Sequence, residues 1–117
     1  MEEKYNLEHI LMGAWGENLL KDKAHNYEVF IEIKKSDNKC YRIVAEEGKY
    51  VRLLEGICTG SNWRLKKSQS LFENKDLLGK VHIWHKREEE IDDKPKLIYK
   101  KIRSYQSYEE FWEKIKR

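Results

Sequence analysis

Glu32 and Lys34 stand either side of Ile33 in a run, Tyr27 to Lys34, that alternates apolar and polar side chains. On an extended strand that spacing sends both to one side, because successive side chains point to opposite faces. A carboxylate and an ammonium so placed suit metal-assisted phosphoryl chemistry. Carboxylates would hold Mg²⁺, which polarises the scissile phosphate and helps ionise a water, while the lysine stabilises the attacking oxygen or the transition state. Glu17, or Glu8, in the segment before would supply a further carboxylate.

In element order, helix, three strands, helix, strand, the chain resembles the minimal core of the Asp-(Asp/Glu)-x-Lys metal nucleases. The resemblance implies Glu32, Lys34 and Glu17 as catalytic candidates. Two departures weaken it: Glu-x-Lys falls on the first expected strand rather than a later one, and no Asp precedes it on a paired strand. Alternating charge on a solvated sheet face yields the same tripeptide, so a metal-dependent nuclease-like domain ranks behind two other readings.

Other chemistries find less. His82 and His85 are three apart and fall on opposite faces of a strand, and His9 and His25 have no partner at a metal-ligand interval. The six glycines form neither G-x-G-x-x-G nor a Walker pattern, and no Gly-x-Ser-x-Gly elbow occurs. The acidic run Glu88 to Asp93 lacks the spaced oxygen ligands and turn glycine of an EF-hand and reads as a solvated hairpin loop. Cys40 and Cys58 have no Cys-x-x-Cys spacing, and Met1-Glu2-Glu3-Lys4 is no secretory start, so a reduced pair in a cytoplasmic protein is expected rather than a disulfide. No metal and no cofactor is expected.

Binding is better represented. From Lys94 to Arg103 there are five basic residues, no acidic one and an interleaved Tyr99. Lys96, Lys100, Lys101 and Arg103 can neutralise phosphates, while Tyr99, Tyr105 or Trp84 can stack on unpaired bases. Arg64, Lys66 and Lys67 extend the patch if their strand adjoins. The bland alternative makes these lysines strand gatekeepers, offset by the acidic run before them and by Glu109, Glu110 and Glu113 after. The four tryptophans and seven tyrosines exceed what a small core comfortably hides. Surplus aromatics at a surface are the usual composition of a protein-binding hot spot, and Trp63, in polar surroundings, is the clearest case.

The elements that must position these residues follow from periodicity. Asn6 caps a helix over 7–21 whose apolar positions are Leu7, Ile10, Leu11, Ala14 and Leu19. Strands are predicted from Tyr27, over Cys40–Ala45 and over Lys49–Ile57, with turns at Ser36-Asp37-Asn38 and at Glu46-Glu47-Gly48. Trp63–Ser68 reads as an edge strand. Ser70-Leu-Phe-Glu73 has the form of a capping box for a short helix ending at Gly79. Strands over Lys80–Lys86 and Lys96–Arg103 follow, joined by the acidic stretch. A last helix is capped by Ser107, with Glu110 as the capping-box acid and a stripe of Tyr108, Phe111, Trp112 and Ile115.

These elements predict an α+β fold for the whole chain, residues 1–117, as one domain: a mainly antiparallel sheet of five or six strands with the terminal helices on one face. At 117 residues, with 39% hydrophobic and 38% charged side chains, the chain can bury a core. It holds no apolar run of the roughly 18 residues a membrane span needs. Net charge is +3, concentrated in the C-terminal half, far from that of a dedicated DNA-binding domain. The leading expectation is a small non-enzymatic binding or inhibitor-type accessory protein with a partner protein. A nucleic-acid-binding protein that uses its basic C-terminal strands comes second.

Overall fold

The computed structural model describes residues 3–17, 24–46 and 50–116, with Glu17 described in its backbone only. The fold is α+β: one six-stranded antiparallel sheet and three α-helices. The strands are β1 (Tyr27–Ile33), β2 (Lys39–Ala45), β3 (Val51–Ile57), β4 (Ser61–Lys66), β5 (Leu78–Ile91) and β6 (Lys94–Tyr105). Their spatial order is β4-β3-β2-β1-β5-β6. Successive strands pair as far as β4, and the chain then crosses to the far side of β1.

Helix α1 (Leu7–Glu17) starts at Asn6, whose side-chain oxygen accepts from the amide of His9 at 3.1 Å. Helix α3 (Tyr108–Ile115) starts at Ser107, whose hydroxyl accepts from the amide of Glu110 at 3.1 Å. The Glu110 carboxylate reaches back to the amide of Gln106 at 2.8 Å, one residue beyond the reciprocal partner of a capping box. Both helices lie on one side of the sheet. Ile10, Leu11 and Ala14 of α1 and Phe111, Trp112 and Ile115 of α3 form one buried cluster with Tyr27, Val29, Ile31, Ile43, Leu53, Val81 and Ile83. The helices approach closely at Gly13, where an added Cβ would lie 2.9 Å from Ile115.

The middle of the chain departs from expectation. Helix α2 (Gln69–Glu73) begins one residue before Ser70, so the Ser70–Glu73 capping box does not form. Gly79 is no helix cap; it lies in β5, where β1 passes so near that an added Cβ would stand 3.2 Å from the carbonyl oxygen of Glu32. A 3-10 turn, Lys75–Leu77, completes the crossover, and the Leu77 carbonyl accepts from the amide of Lys34 at 2.7 Å. The acidic stretch expected as a loop is strand instead, because Asp92 and Asp93 both take positive φ, at 53° and 62°. Two such residues make the tight turn that matches strand twist, and Asp is among the few side chains that tolerate it. Beyond His85, which is opposite Tyr27, β5 and β6 pair only with each other in the sheet, as a ribbon.

Cys40 and Cys58 form a disulfide, correcting the expectation of a reduced pair. Spacing in sequence did not reveal that Cys40, at the start of β2, lies opposite Gly56, which puts Cys58 within bonding reach just past the end of β3. The end of the helix expected over 7–21 and the turn at Gly48 lie outside the described residues. Among the described residues no helix is long and apolar enough to cross a membrane.

Candidate functional site

Period two sends Glu28, Phe30 and Glu32 of β1 to the side away from the helices, and the register carries that side across the sheet. Arg42 of β2 is opposite Phe30, Trp84 of β5 is opposite Glu28, and Lys101 of β6 is opposite Trp84. Tyr99 is two residues before Lys101, opposite Lys86. From the edge strand Trp63 folds inward over Gly56, where an added Cβ would lie 2.5 Å from the indole ring. Only a residue without a side chain leaves that space.

Phe30, Trp63, Trp84 and Tyr99 thereby wall a cavity of about 290 Å³, lined also by Cys58, Thr59 and Gly60. The ring of Phe30 meets Trp63 edge-on, with centroids 5.6 Å apart, and Trp84 at 6.1 Å. Contacts of this kind fix ring orientation as well as burying area.

At the cavity floor the Glu28 side chain is wholly buried. Arg42 clasps it at two points: Nε donates to Oε1 at 2.6 Å and Nη2 to Oε2 at 2.9 Å. Lys86 Nζ approaches Oε2 at 3.1 Å, and the Tyr99 hydroxyl stands 3.5 Å from the same oxygen. The Arg42 guanidinium also lies over the rings of Phe30 and Trp63. Burial opposes its charge, but the hydrogen bonds and the Coulombic pull of Glu28 outweigh that and raise its pKa. Burial, helped by the charge of Glu28, also raises Tyr99, which is a phenol rather than a phenolate at neutral pH. One carboxylate thus faces two cations, and a third, Lys101, rests over Trp84 at 5.2 Å. Of the charged side chains that line the cavity, Glu28 and Arg42 balance, and Lys86 and Lys101 stand beside it as further cations.

On the same face, Glu32, His82 and Ser104 join three strands. His82 bonds Ser104 Oγ through Nδ1 at 2.7 Å and Glu32 Oε2 through Nε2 at 2.5 Å. The connectivity matches a serine relay, but Ser104 lies within β6 rather than on a turn that presents a nucleophile, and neither Ser104 nor His82 lines the cavity. Its evident role is to tie β1, β5 and β6 together. Glu32 is thus engaged by a histidine, and Lys34 follows the last residue of β1. Glu17 ends α1, and its side chain is outside the described residues. Among the described residues no three His, Cys, Asp or Glu side chains converge as a metal would require.

The expected binding residues divide between the faces. Trp63, Tyr99 and Lys101 come together around the cavity. Arg64 and Lys66 are opposite Glu55 and Leu53 and so turn to the helix side, where Lys66 approaches Glu55 at 3.7 Å. Lys96 and Lys100 are opposite Glu89 and His85, again away from the cavity. Arg103 is opposite Ile83, and Lys67 follows β4, exposed.

Sequence reasoning missed Glu28, Phe30 and Arg42. The available signal was Phe30, an aromatic on the side of β1 read as solvated; with Val44 and Trp84 it marks a second apolar surface. Leu65 and Leu97 extend that surface, exposed near its two edges.

Comparison with protein-family models, curated proteins and solved structures finds no match to this chain.

Proposed function

We propose that this chain is a non-enzymatic binding protein, of the inhibitor or accessory kind, that engages a partner macromolecule through the sheet face opposite its helices. The observation that carries this is the cavity itself, about 290 Å³ walled by four aromatic rings over a buried ion cluster. A sheet face with no recognition role needs no such construction: solvated polar residues would serve, and a buried ion pair is weak support for stability. The exposed Leu65, Leu97 and Tyr99 give the cavity an apolar margin, the mark of a contact surface.

The disulfide belongs to a kind that persists in oxidising compartments. The cytoplasmic setting expected from the sequence therefore turns on the redox state of Cys40 and Cys58 in the source cell.

The test is comparative capture. Wild type and a Trp63→Ala, Leu97→Asp double variant are used as baits in the native lysate, with the fold of each checked by circular dichroism. A partner retained by wild type and lost by the variant is the expected result. Retention that ignores the open face, but falls when Lys114→Glu changes the helix side, would overturn the assignment.

A further inference from the structure

We infer that the occupant of the cavity is single-stranded nucleic acid, one base entering between the rings while flanking phosphates meet Arg42, Lys86 and Lys101. This rests on the binding role proposed above and gives that role its partner.

Three observations converge. The first is size: at about 290 Å³ the cavity falls just below the range of small-molecule sites, which runs from roughly 300 Å³ upward. It takes one planar group and excludes the folded bulk of a larger ligand. The second is the lining. Phe30, Trp63, Trp84 and Tyr99 supply π-faces and edges, and stacking accepts any base because every base has a π-face. A duplex keeps its bases stacked on one another and cannot offer one without unpairing it.

The third is charge. Glu28 is a single carboxylate between Arg42 and Lys86, so their combined charge is half neutralised, and Lys101 adds another cation at Trp84. An aromatic cage for a cationic ligand needs the opposite balance, and here Arg42 already lies over two of the rings. Excess cation beside stacking surfaces is complementary to a base with its phosphates. On the same side of the β5–β6 ribbon Tyr99 and Lys101 stand next to the cavity, and beyond them Glu88 and Glu90 set an acidic limit to the cationic surface.

The probe is a short fluorescein-labelled oligothymidylate, with a self-complementary duplex of equal length beside it, followed by fluorescence anisotropy across a salt series. Single strand is expected to bind at low salt and to weaken as salt rises. The slope of log K against log salt should be no steeper than about −2, at roughly −0.7 for each phosphate neutralised by one of the three cations. Tyr99→Leu should weaken binding about tenfold, the order expected for one lost stacking partner. Lys101→Glu should weaken it at least as much, whereas Lys114→Glu, the same charge change on α3, should leave it unchanged. Thermal melts of each variant separate lost binding from lost fold.

No binding at low salt, duplex bound as tightly as single strand, or equal loss in Lys101→Glu and Lys114→Glu would each overturn the inference. A protein partner captured through the open face and not displaced by excess oligothymidylate would also overturn it, while leaving the binding role standing. If nothing bound by the chain depends on the open face, both fall together.

Discussion

A Cβ atom built on Gly56 would lie 2.5 Å from Cε3 of Trp63, closer than real contacts allow. The glycine of β3 is therefore what lets the indole lie over the sheet and form a wall of the cavity. Gly56→Ala is expected to push the ring outward at a cost of about 1–3 kcal/mol, the usual range for overpacking. Urea denaturation reads the loss of stability, and a red-shifted tryptophan emission reads the displaced ring. An unchanged emission spectrum would place the indole elsewhere.

The same physics separates two glycines of α1. At Gly13 an added methyl meets Cβ and Cδ1 of Ile115 at 2.9 Å, whereas at Gly16 nothing among the described residues stands within 4 Å. Gly16→Ala should stabilise by about 0.5–1 kcal/mol through helix propensity alone. Gly13→Ala should destabilise despite the same propensity gain, because α3 would have to move. Melting temperatures that shift in the same direction for both variants would contradict the α1–α3 packing.

Arg42 and Glu28 form the pair on which the cavity floor depends. Arg42→Ala leaves the wholly buried carboxylate with Lys86 as its remaining cation and should cost about 3 kcal/mol, as breaking buried ion pairs does. Replacing both partners with apolar residues, Arg42→Met with Glu28→Leu, should cost less than the sum of the single changes. A double-mutant cycle by urea denaturation measures that coupling.

These residues also mark how far the sequence could be read. Strict alternation in Tyr27, Val29 and Ile31, and a four-residue apolar stripe in α3, made strands, helices and helix-bearing face legible, because burial on one side imposes a period. The cavity was hidden by the same reasoning. Glu28 looks solvated in its own strand, yet it is buried where Trp63, Trp84 and Tyr99 arrive from three other strands. Nothing local reveals which strands become neighbours. The Asp92-Asp93 turn and the Cys40–Cys58 bond were missed for a related reason: composition suggested a loop and a reduced pair, while register made a ribbon and a bridge.

The alkaline limit of stability has a defined sign. Burial raises the pKa of Tyr108, and among the described residues its buried hydroxyl has no hydrogen-bond partner. Tyr41 is raised too, by burial and by the charge of Glu55. An unfolded tyrosine releases its proton near pH ~10, so above that pH the unfolded chain binds fewer protons than the folded one. Stability that is fully present below about pH 10 should therefore fall as pH rises further. Tyr108→Phe should be neutral or slightly stabilising near neutral pH, and its stability should fall less steeply with pH. Urea midpoints on both sides of pH ~10 check both statements.

The disulfide closes a loop with a sequence separation of 18 residues and should contribute roughly 3 kcal/mol by restricting the unfolded chain. Cys40→Ala with Cys58→Ala should lower stability by about that amount. Purified protein should take up a thiol alkylator only after reduction. Alkylation of the unreduced protein at both cysteines would show the bridge unformed.

The most direct measurement of a recognition surface on the open face is the set of indole N–H resonances in a ¹H–¹⁵N spectrum, assigned with single Trp→Phe variants. The four tryptophans divide evenly, Trp63 and Trp84 at the cavity and Trp15 and Trp112 packed with the helices. On titration with oligothymidylate, the resonances of Trp63 and Trp84 should move while those of Trp15 and Trp112 stay in place. Movement confined to Trp15 and Trp112 would contradict the assignment of that face, and four stationary resonances would contradict nucleic acid as its occupant.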